Sequence, residues 1–269
     1  MKYQAFIFTL VFTLSFGSCR LEEKQPYSQR MVELRALRTF FSNSREQQLA
    51  TSQWDYVSGL VANSVLKAWM QYPVKEAYYQ AVKQYADHNL LTGDSVKVNP
   101  DNIDNLAAGK IFFTLYRIEM EKGNYTDALR YRNCATFLRN KLKYHHKRID
   151  ASKPGSGRFI HKSQYLDQLW LDGLYMGPAL YAEWQHCFGD EEGEANNLDS
   201  WTDIALQFEI IHQYTWDSEK QLNYHAWAAD PDDPNAFWAR KEEPYRGCSP
   251  EFWGRGMGWY FAALVDVLE

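Results

Sequence analysis

Apolar residues recur every three or four positions along much of the chain, and polar connections without this rhythm separate the segments. Met31, Leu34, Leu37 and Phe41 form one such series. This spacing places apolar side chains on one face of an α-helix. It predicts helices over residues 30–42, 54–70, 74–90, 105–121, 125–142, 167–188, 198–214 and 252–268. No segment shows sustained apolar–polar alternation, so the pattern predicts an all-α fold without a sheet.

Short connections between several of these segments are typical of antiparallel helix hairpins. Hairpins in series build either an α-solenoid or an α/α toroid, and no fixed repeat length recurs along the chain. Two connections are long, at 153–157 and 228–250, and long loops on a helical frame often carry functional residues. The last segment stops within a helical pattern, without a capping Gly or a polar tail. We therefore expect a C-terminally truncated chain.

The first residues have the pattern of an export signal. One charge at Lys2 precedes an apolar run from Ala5 to Phe16, and Cys19 follows a Gly-Ser pair. The run is shorter than the roughly 20 apolar residues that span a bilayer. A Cys at this place resembles a bacterial lipoprotein signal, and the alternative is an ordinary cleaved signal. We expect a signal at 1–18, lipidation of Cys19, a tether at 19–29 and one partial domain at 30–269.

This N-terminus predicts an exported protein, located in the periplasm or at the outer membrane as a lipoprotein. The lipid anchor would then be its contact with the membrane.

Composition narrows the functional class. A net charge of -5 argues against a nucleic-acid partner, because neutralising phosphates requires a basic face. Aromatic residues make up 16% of the chain, and their flat apolar rings suit the faces of sugars. Cys134, Cys187 and Cys248 are few and widely spaced, and no zinc-ligand spacing is present. Composition therefore favours a carbohydrate-active or carbohydrate-binding protein without a metal or cofactor.

Two aspartates are candidates for chemistry. Asp172 lies next to Leu171 in an apolar, Gly-containing segment, where a carboxylate must pair, cap a helix or keep its proton. Helix capping and catalysis are equally good interpretations of Asp172 on local pattern alone. Asp104 opens a predicted helix, and for this residue capping is the favoured interpretation.

Two later segments combine aromatic rings with polar groups. His225 lies in Asn-Tyr-His-Ala-Trp at 223–227, where a structural role is favoured for a lone histidine. Arg255 lies in Ser-Pro-Glu-Phe-Trp-Gly-Arg-Gly-Met-Gly-Trp at 249–259. Glycines permit close backbone approach, and core packing does not need an arginine, so this second segment predicts a binding site.

Taken together, these motifs resemble glycoside hydrolase family 105, the unsaturated rhamnogalacturonyl hydrolases, and the related family 88, the unsaturated glucuronyl hydrolases. The resemblance rests on Trp-Leu-Asp-Gly-Leu-Tyr-Met-Gly at 170–177 and on the segments at 223–227 and 249–259. Segments starting at Trp54 and Asp104 match earlier blocks of the family. The resemblance implies an (α/α)6 barrel, with about eight of its twelve helices in this chain.

The resemblance also implies a reaction. The substrate would be a 4,5-unsaturated uronic acid at the non-reducing end of a lyase-generated oligosaccharide. An aspartate protonates C4 and activates the water that adds at C5, so one residue serves as acid and base. Asp172 matches that residue and Asp104 the second carboxylate of the site. The positions that match substrate contacts are Tyr56, His161, Lys162, Trp170, His225, Arg255 and Trp259.

Other functions remain open at this level. A glycan-binding outer-membrane lipoprotein would also be helical, rich in Trp and lipidated, but it would not need these motifs. An inverting hydrolase on the same toroid would need a second acid, which the sequence does not identify. Rhamnogalacturonan, ulvan and glucuronan fragments are alternative sources of the unsaturated sugar.

Overall fold

The computed structural model describes residues 45–71, 76–99 and 101–269. The predicted signal at 1–18, Cys19, the tether at 19–29 and the helix predicted at 30–42 lie outside the described residues. Residues 46–269 belong to one folding unit. Among the helices of the described part, none is both long enough and apolar enough to cross a membrane.

Helices dominate the described residues, and all but the first, which was not predicted, lie where the apolar periodicity predicts them. They are α1 (Arg45–Ala50), α2 (Tyr56–Gln71), α3 (Glu76–Asn89), α4 (Lys110–Glu121), α5 (Tyr125–Asn140), α6 (Asp172–Met176), α7 (Pro178–Phe188), α8 (Glu194–Thr215) and α9 (Gly254–Leu268). Two short 3-10 turns, Ile103–Asn105 and Ala107–Gly109, lead into α4.

The helices form two layers. In the inner layer α2 packs on α4, α4 on α7, and α7 on α9. In the outer layer α3 packs on α2, α5 on α4, and α8 on α7, so each outer helix is the hairpin partner of an inner one. This alternation of inner and outer helices is the architecture of an α/α toroid, here an incomplete one.

Short strands interrupt the helical frame, so the expectation of no sheet is wrong. Three antiparallel ribbons pair β1 (Leu90–Leu91) with β2 (Ser95–Val96), β3 (Gln168–Trp170) with β6 (Ala226–Ala228), and β4 (Trp216–Asp217) with β5 (Leu222–Asn223). Strands of two or three residues are too short to show a period of two in the sequence.

The helix predicted over 167–188 is also wrong as a single element. Its first residues form β3, and α6 and α7 follow with a junction at Gly177. A β-carbon on Gly177 would lie 2.6 Å from Ile103 Cδ1, so this glycine lets the junction pack closely on the 3-10 turn. The break therefore brings the segment around Asp172 against the segment around Asp104.

Part of the high aromatic content fills the core between helices. Trp54 stacks with Tyr85 and Phe112, with ring centroids 5.8 Å and 5.3 Å apart, and Phe112 stacks with Tyr131 at 6.0 Å. Aromatic pairs of this kind add stability beyond the area that they bury. Composition by itself thus overstates how many rings are available to a sugar.

The beginnings of the inner-layer elements meet at one end of the toroid. Tyr56 begins α2, which packs on the 3-10 turn that precedes α4. Asp172 begins α6, which packs on the turn containing Asp104 and on α9, which begins at Gly254. Unbonded backbone N–H groups give helix N-termini a partial positive charge, so this end of the toroid favours anions.

Candidate active site

Asp104 lies in a small ionic cluster. An isolated β-bridge between Asn102 and Lys162, and the Ile103 N–H that donates to the His161 carbonyl at 3.1 Å, hold two loop segments together. His161 Nε2 consequently lies 3.0 Å from Asp104 Oδ1, and Lys162 Nζ lies 2.7 Å from Oδ2. Each carboxylate oxygen of Asp104 therefore has a nitrogen partner of its own.

The cluster determines the charge of Asp104. Burial acts to raise the pKa of this carboxyl, but the hydrogen bonds and charges of His161 and Lys162 outweigh burial and lower the pKa. The favoured interpretation of Asp104 as a helix cap is wrong, because its carboxylate does not cap the helix. Asn102 does so instead, because its Oδ1 accepts from the Asp104 N–H at 3.2 Å. Asp104 is thus a fixed negative charge in the site.

Asp172 has different surroundings. It is the first residue of α6, separated from β3 by Leu171, and Leu171, not Asp172, occupies the N-cap position of this helix. Its Oδ2 is buried without a hydrogen-bond partner and lies 3.4 Å from His225 Nδ1, which is also unpartnered. The capping interpretation is therefore wrong for Asp172. A buried polar atom without a partner is costly, and a functional role is one explanation for such an atom.

The ribbon of β3 and β6 positions His225 beside Asp172. The Leu171 N–H donates to the His225 carbonyl at 3.0 Å, and Trp170 pairs with Ala226 across the ribbon. Burial lowers the pKa of His225, the Asp172 carboxylate opposes this shift, and the charges of His161 and Arg255 reinforce it. The imidazole of His225 is accordingly neutral near pH 7 and can exchange hydrogen bonds with Asp172 or with a bound ligand.

Trp170 connects the two aspartate clusters. Its ring stacks with His161 at 5.1 Å and with Tyr165 at 5.3 Å, and it meets His225 edge-on at 5.2 Å. Its Nε1 donates to Gln168 Oε1 at 3.0 Å, which fixes the rotation of the indole. Trp170 thereby holds the imidazoles of both clusters in place.

The start of α9 closes the site on the Asp172 side. A β-carbon on Gly256 would lie 2.8 Å from His225 Nδ1 and 3.6 Å from Asp172 Oδ2, so only glycine leaves this space free. The Trp253 ring meets His225 edge-on at 4.6 Å, and the Arg255 guanidinium lies 3.9 Å over the Trp253 ring. Arg255 is exposed, and its position suits contact with an anionic ligand.

A third group of aromatic rings lies one turn further along α9. Trp259 meets Tyr56 edge-on at 6.2 Å and packs on Tyr175 at 4.6 Å. Tyr56 and Trp259 are partly exposed, whereas Tyr175 is buried. These rings form an aromatic wall that joins the starts of α2, α6 and α9.

The structure places every expected site residue of the described part within these three groups, and Cys19 lies outside the described residues. Sequence reasoning gave no individual role to Trp253, Gly256 or Tyr175. Trp253 and Gly256 lie in the motif at 249–259, where the density of glycine and tryptophan was the available signal. Tyr175 lies in the motif at 170–177, but nothing in that motif distinguishes it from a core residue.

The described part of the chain contains no cluster of three or more His, Cys, Asp or Glu side chains placed to hold a metal ion. Cys134, Cys187 and Cys248 are all free thiols.

The site thus places two carboxylates beside aromatic rings at one end of a helical toroid. The sequence model of Glycosyl Hydrolase Family 88 matches residues 34–269, and the chain belongs to that family.

Solved structures share the fold. A glycoside hydrolase from family 105 of C. acetobutylicum ATCC 824 is 32% identical with a TM-score of 0.66, over 81% of this chain and 54% of that one. A possible family 105 member from Klebsiella pneumoniae is 16% identical with a TM-score of 0.61, over 93% of this chain and 60% of that one. The predicted (α/α)6 architecture is thereby confirmed. The chain spans about half the length of the first of these structures.

Proposed function

We propose that the protein removes a 4,5-unsaturated uronic acid from the non-reducing end of oligosaccharides that polysaccharide lyases generate. The reaction is hydration of the C4=C5 double bond, and Asp172 is the general acid and base. Pectin and rhamnogalacturonan fragments are the proposed substrate class, and Asp104 belongs to the catalytic site as its second carboxylate.

The contrast between the two carboxylates is the observation that carries this proposal. Both oxygens of Asp104 are engaged by nitrogens of His161 and Lys162. Asp172 has no cationic side chain at hydrogen-bond distance, and its Oδ2 has no partner. A group that gives up a proton and takes one back needs a free oxygen, whereas a fixed charge needs its partners.

The proposed step uses one carboxyl group twice. Protonated Asp172 gives its proton to C4, and the electron pair of the double bond forms the new C–H bond. Water adds its oxygen to C5 and loses a proton to the Asp172 carboxylate, which restores the acid. The hemiketal formed at C5 then opens and releases the neighbouring sugar, so no second acid is consumed.

The surroundings of the site fit an anionic sugar. Lys162 beside Asp104 and the exposed Arg255 over Trp253 add positive charge, in addition to the helix N-termini. His225, neutral at pH 7, can hydrogen-bond the ring without repelling either charge. Tyr56 and Trp259 supply flat surface for the sugar face.

The test follows the ultraviolet absorbance of the conjugated double bond in lyase-digested pectin. The full-length protein is expected to consume this absorbance and to leave saturated oligogalacturonides unchanged. Cleavage of saturated oligosaccharides at a comparable rate would instead favour an inverting hydrolase. Binding of the digest without any loss of absorbance would favour the glycan-binding lipoprotein. Digests of ulvan or glucuronan, assayed in parallel, identify the preferred source of the unsaturated sugar.

We also propose that the protein is exported and attached to a membrane through a lipid on Cys19. The proposal rests on the signal pattern that ends at this cysteine.

A further inference from the structure

Lys110 is a buried charge that the proposed reaction does not use. It begins α4 inside the toroid and is only 2% exposed. Its Nζ lies 2.6 Å from Asp266 Oδ2 near the end of α9, and the other oxygen of Asp266 lies 3.6 Å from Lys67 of α2. A buried ion pair of this kind is weak evidence for stability, because desolvation offsets much of the attraction. Its geometry instead ties α9 to α4.

The same ammonium group reaches the aromatic wall. Lys110 Nζ lies 3.4 Å from the centre of the Tyr175 ring, a close cation–π contact. Tyr175 packs on Trp259 at 4.6 Å, and Trp259 meets Tyr56 at 6.2 Å. One buried charge therefore contacts both the far end of α9 and the ring that supports Trp259.

We propose that Lys110 is a positioning residue: its ion pair with Asp266 and its contact with Tyr175 hold α9, and with it Trp259 and Gly256, in the arrangement that binds the sugar. When Lys110 loses its charge, both contacts weaken, and the aromatic wall moves relative to Asp172. Errors of position of about 1 Å in a binding wall can cost up to about 100-fold in rate.

The charge of Lys110 can change within an accessible pH range. Burial lowers the pKa of Lys110 to about 8, although the nearby carboxylates of Asp266 and Glu183 oppose the shift and Lys67 adds to it. The charged and titratable groups that face Lys110 from the packed helices are Lys67 on α2, Tyr175 on α6, Glu183 on α7 and Asp266 on α9. The contacts of charged Lys110 with Asp266 and Tyr175 are therefore present below about pH 8 and weakened above it.

The kinetic test depends on the proposed function and uses lyase-digested pectin with the full-length protein. The wild-type KM is expected to rise about threefold or more between about pH 7 and about pH 9, with a smaller change in kcat. Lys110→Met should show the raised KM already at the lower pH and no further rise. If Lys110→Met folds poorly, Asp266→Asn replaces it in the test. This variant keeps the shape of the side chain and should raise the KM in the same way.

A second test does not depend on activity. The tryptophan emission of the wild type is expected to change across the same pH interval, because Trp259 moves against Tyr175. Trp259→Phe and Lys110→Met should each lack this change.

Lys83→Met is the matched control. Lys83 is a half-buried lysine that also forms ion pairs, with Asp87 at 2.8 Å and Asp127 at 2.9 Å, away from the aromatic wall. This variant should lose stability but keep the wild-type KM and the wild-type change in emission. A wild-type KM and emission that are flat across the interval, or a change in emission that persists in Lys110→Met, would overturn the positioning role. A wild type without hydration activity whose emission still changes as described would instead remove the proposed function and leave this role standing.

Discussion

At the scale of single residues, Asp104 and Asp172 differ in what touches their oxygens. Asp104 accepts from His161 and Lys162, and its pKa is lowered. Asp172 faces His225 and the backbone of Gly256, with one oxygen unpartnered. Substitutions of the two should therefore have different kinetic signatures.

Asp172→Asn keeps the size and shape of the side chain but removes both proton transfers. Turnover of unsaturated oligosaccharide should fall at least about 10²–10⁴-fold, the usual range for positioned acid–base catalysis. The KM should change little, because the proposed substrate contacts Tyr56, Lys162 and Arg255 are unaltered. Steady-state kinetics of the full-length protein measure both values. If the variant kept more than about a tenth of wild-type turnover, Asp104 would become the candidate acid and base.

Asp104→Asn is the companion variant. It leaves His161 and Lys162 without their ionic partner, so the binding surface and the local field change together. We expect roughly a tenfold or larger loss of kcat/KM, divided between a higher KM and a lower kcat. A variant that lost only kcat, with an unchanged KM, would contradict the interpretation of Asp104 as a fixed charge that also shapes the binding surface.

Cys19 carries the prediction about location. Cys19→Ala should move the protein from the membrane fraction to the soluble fraction of cells, because it removes the proposed lipid. Fractionation after a salt wash, with immunoblotting, measures the shift, and Cys187→Ala is the control for substitution of a cysteine. Continued sedimentation of Cys19→Ala with membranes would count against lipidation at this residue.

At the scale of elements, the close packing of α2 on the 3-10 turn before α4 depends on one glycine. A β-carbon on Gly59 would lie 2.4 Å from the Cα of Ala108, and backbone at this distance cannot move aside cheaply. Gly59→Ala should therefore destabilise the protein by about 1–3 kcal/mol through overpacking.

Gly258 is the matched control for this contact. It lies within α9 with nothing inside 4 Å of a β-carbon, so Gly258→Ala should stabilise by about 0.5–1 kcal/mol through helix propensity. Urea unfolding of both variants measures the difference in the free energy of unfolding. Equal effects of the two substitutions would show that the approach of α2 to Ala108 is not as tight as described.

At the scale of the whole molecule, charges inside the toroid link the inner helices. Glu183 on α7 lies 3.6 Å from Arg117 on α4 and faces a cavity of about 200 Å³ that Asp266 also lines. Burial raises the pKa of Glu183 to about 7, against the opposing charges of Lys110 and Arg117. Between about pH 4.5 and about pH 7, the folded protein therefore keeps a proton on Glu183 that the unfolded chain, with the ordinary pKa near 4.5, has released.

This difference predicts a pH dependence with a definite sign. The contribution of Glu183 to stability is present below about pH 4.5 and is lost as the pH rises through about 7. Relative to Glu183→Gln, the wild type should lose stability over this interval. Thermal unfolding of both proteins across the interval measures the difference. Glu209→Gln, at an exposed position on α8, is the control, and its stability should change with pH as that of the wild type does. If the stability of Glu183→Gln also followed the wild type at every pH, Glu183 would not cause the pH dependence.

The sequence by itself determined the helical frame and the chemistry available to it. Apolar residues at helical spacing predicted the places of the helices because one buried face is a local requirement, visible in any window of the chain. The motifs at 170–177, 223–227 and 249–259 identified the family because they carry the site residues in a fixed order. Both kinds of information lie along the chain.

Only the tertiary structure decided what surrounds each of those residues. Capping and catalysis predict the same local pattern for an aspartate at a helix start. In the structure Asn102 and Leu171 hold the cap positions, His161 and Lys162 engage Asp104, and Asp172 Oδ2 has no partner. The ribbon of β3 and β6 was invisible for a similar reason, since its strands are held by residues more than 50 positions apart. Contacts between distant segments depend on tertiary packing, so the local spacing of apolar residues does not predict them.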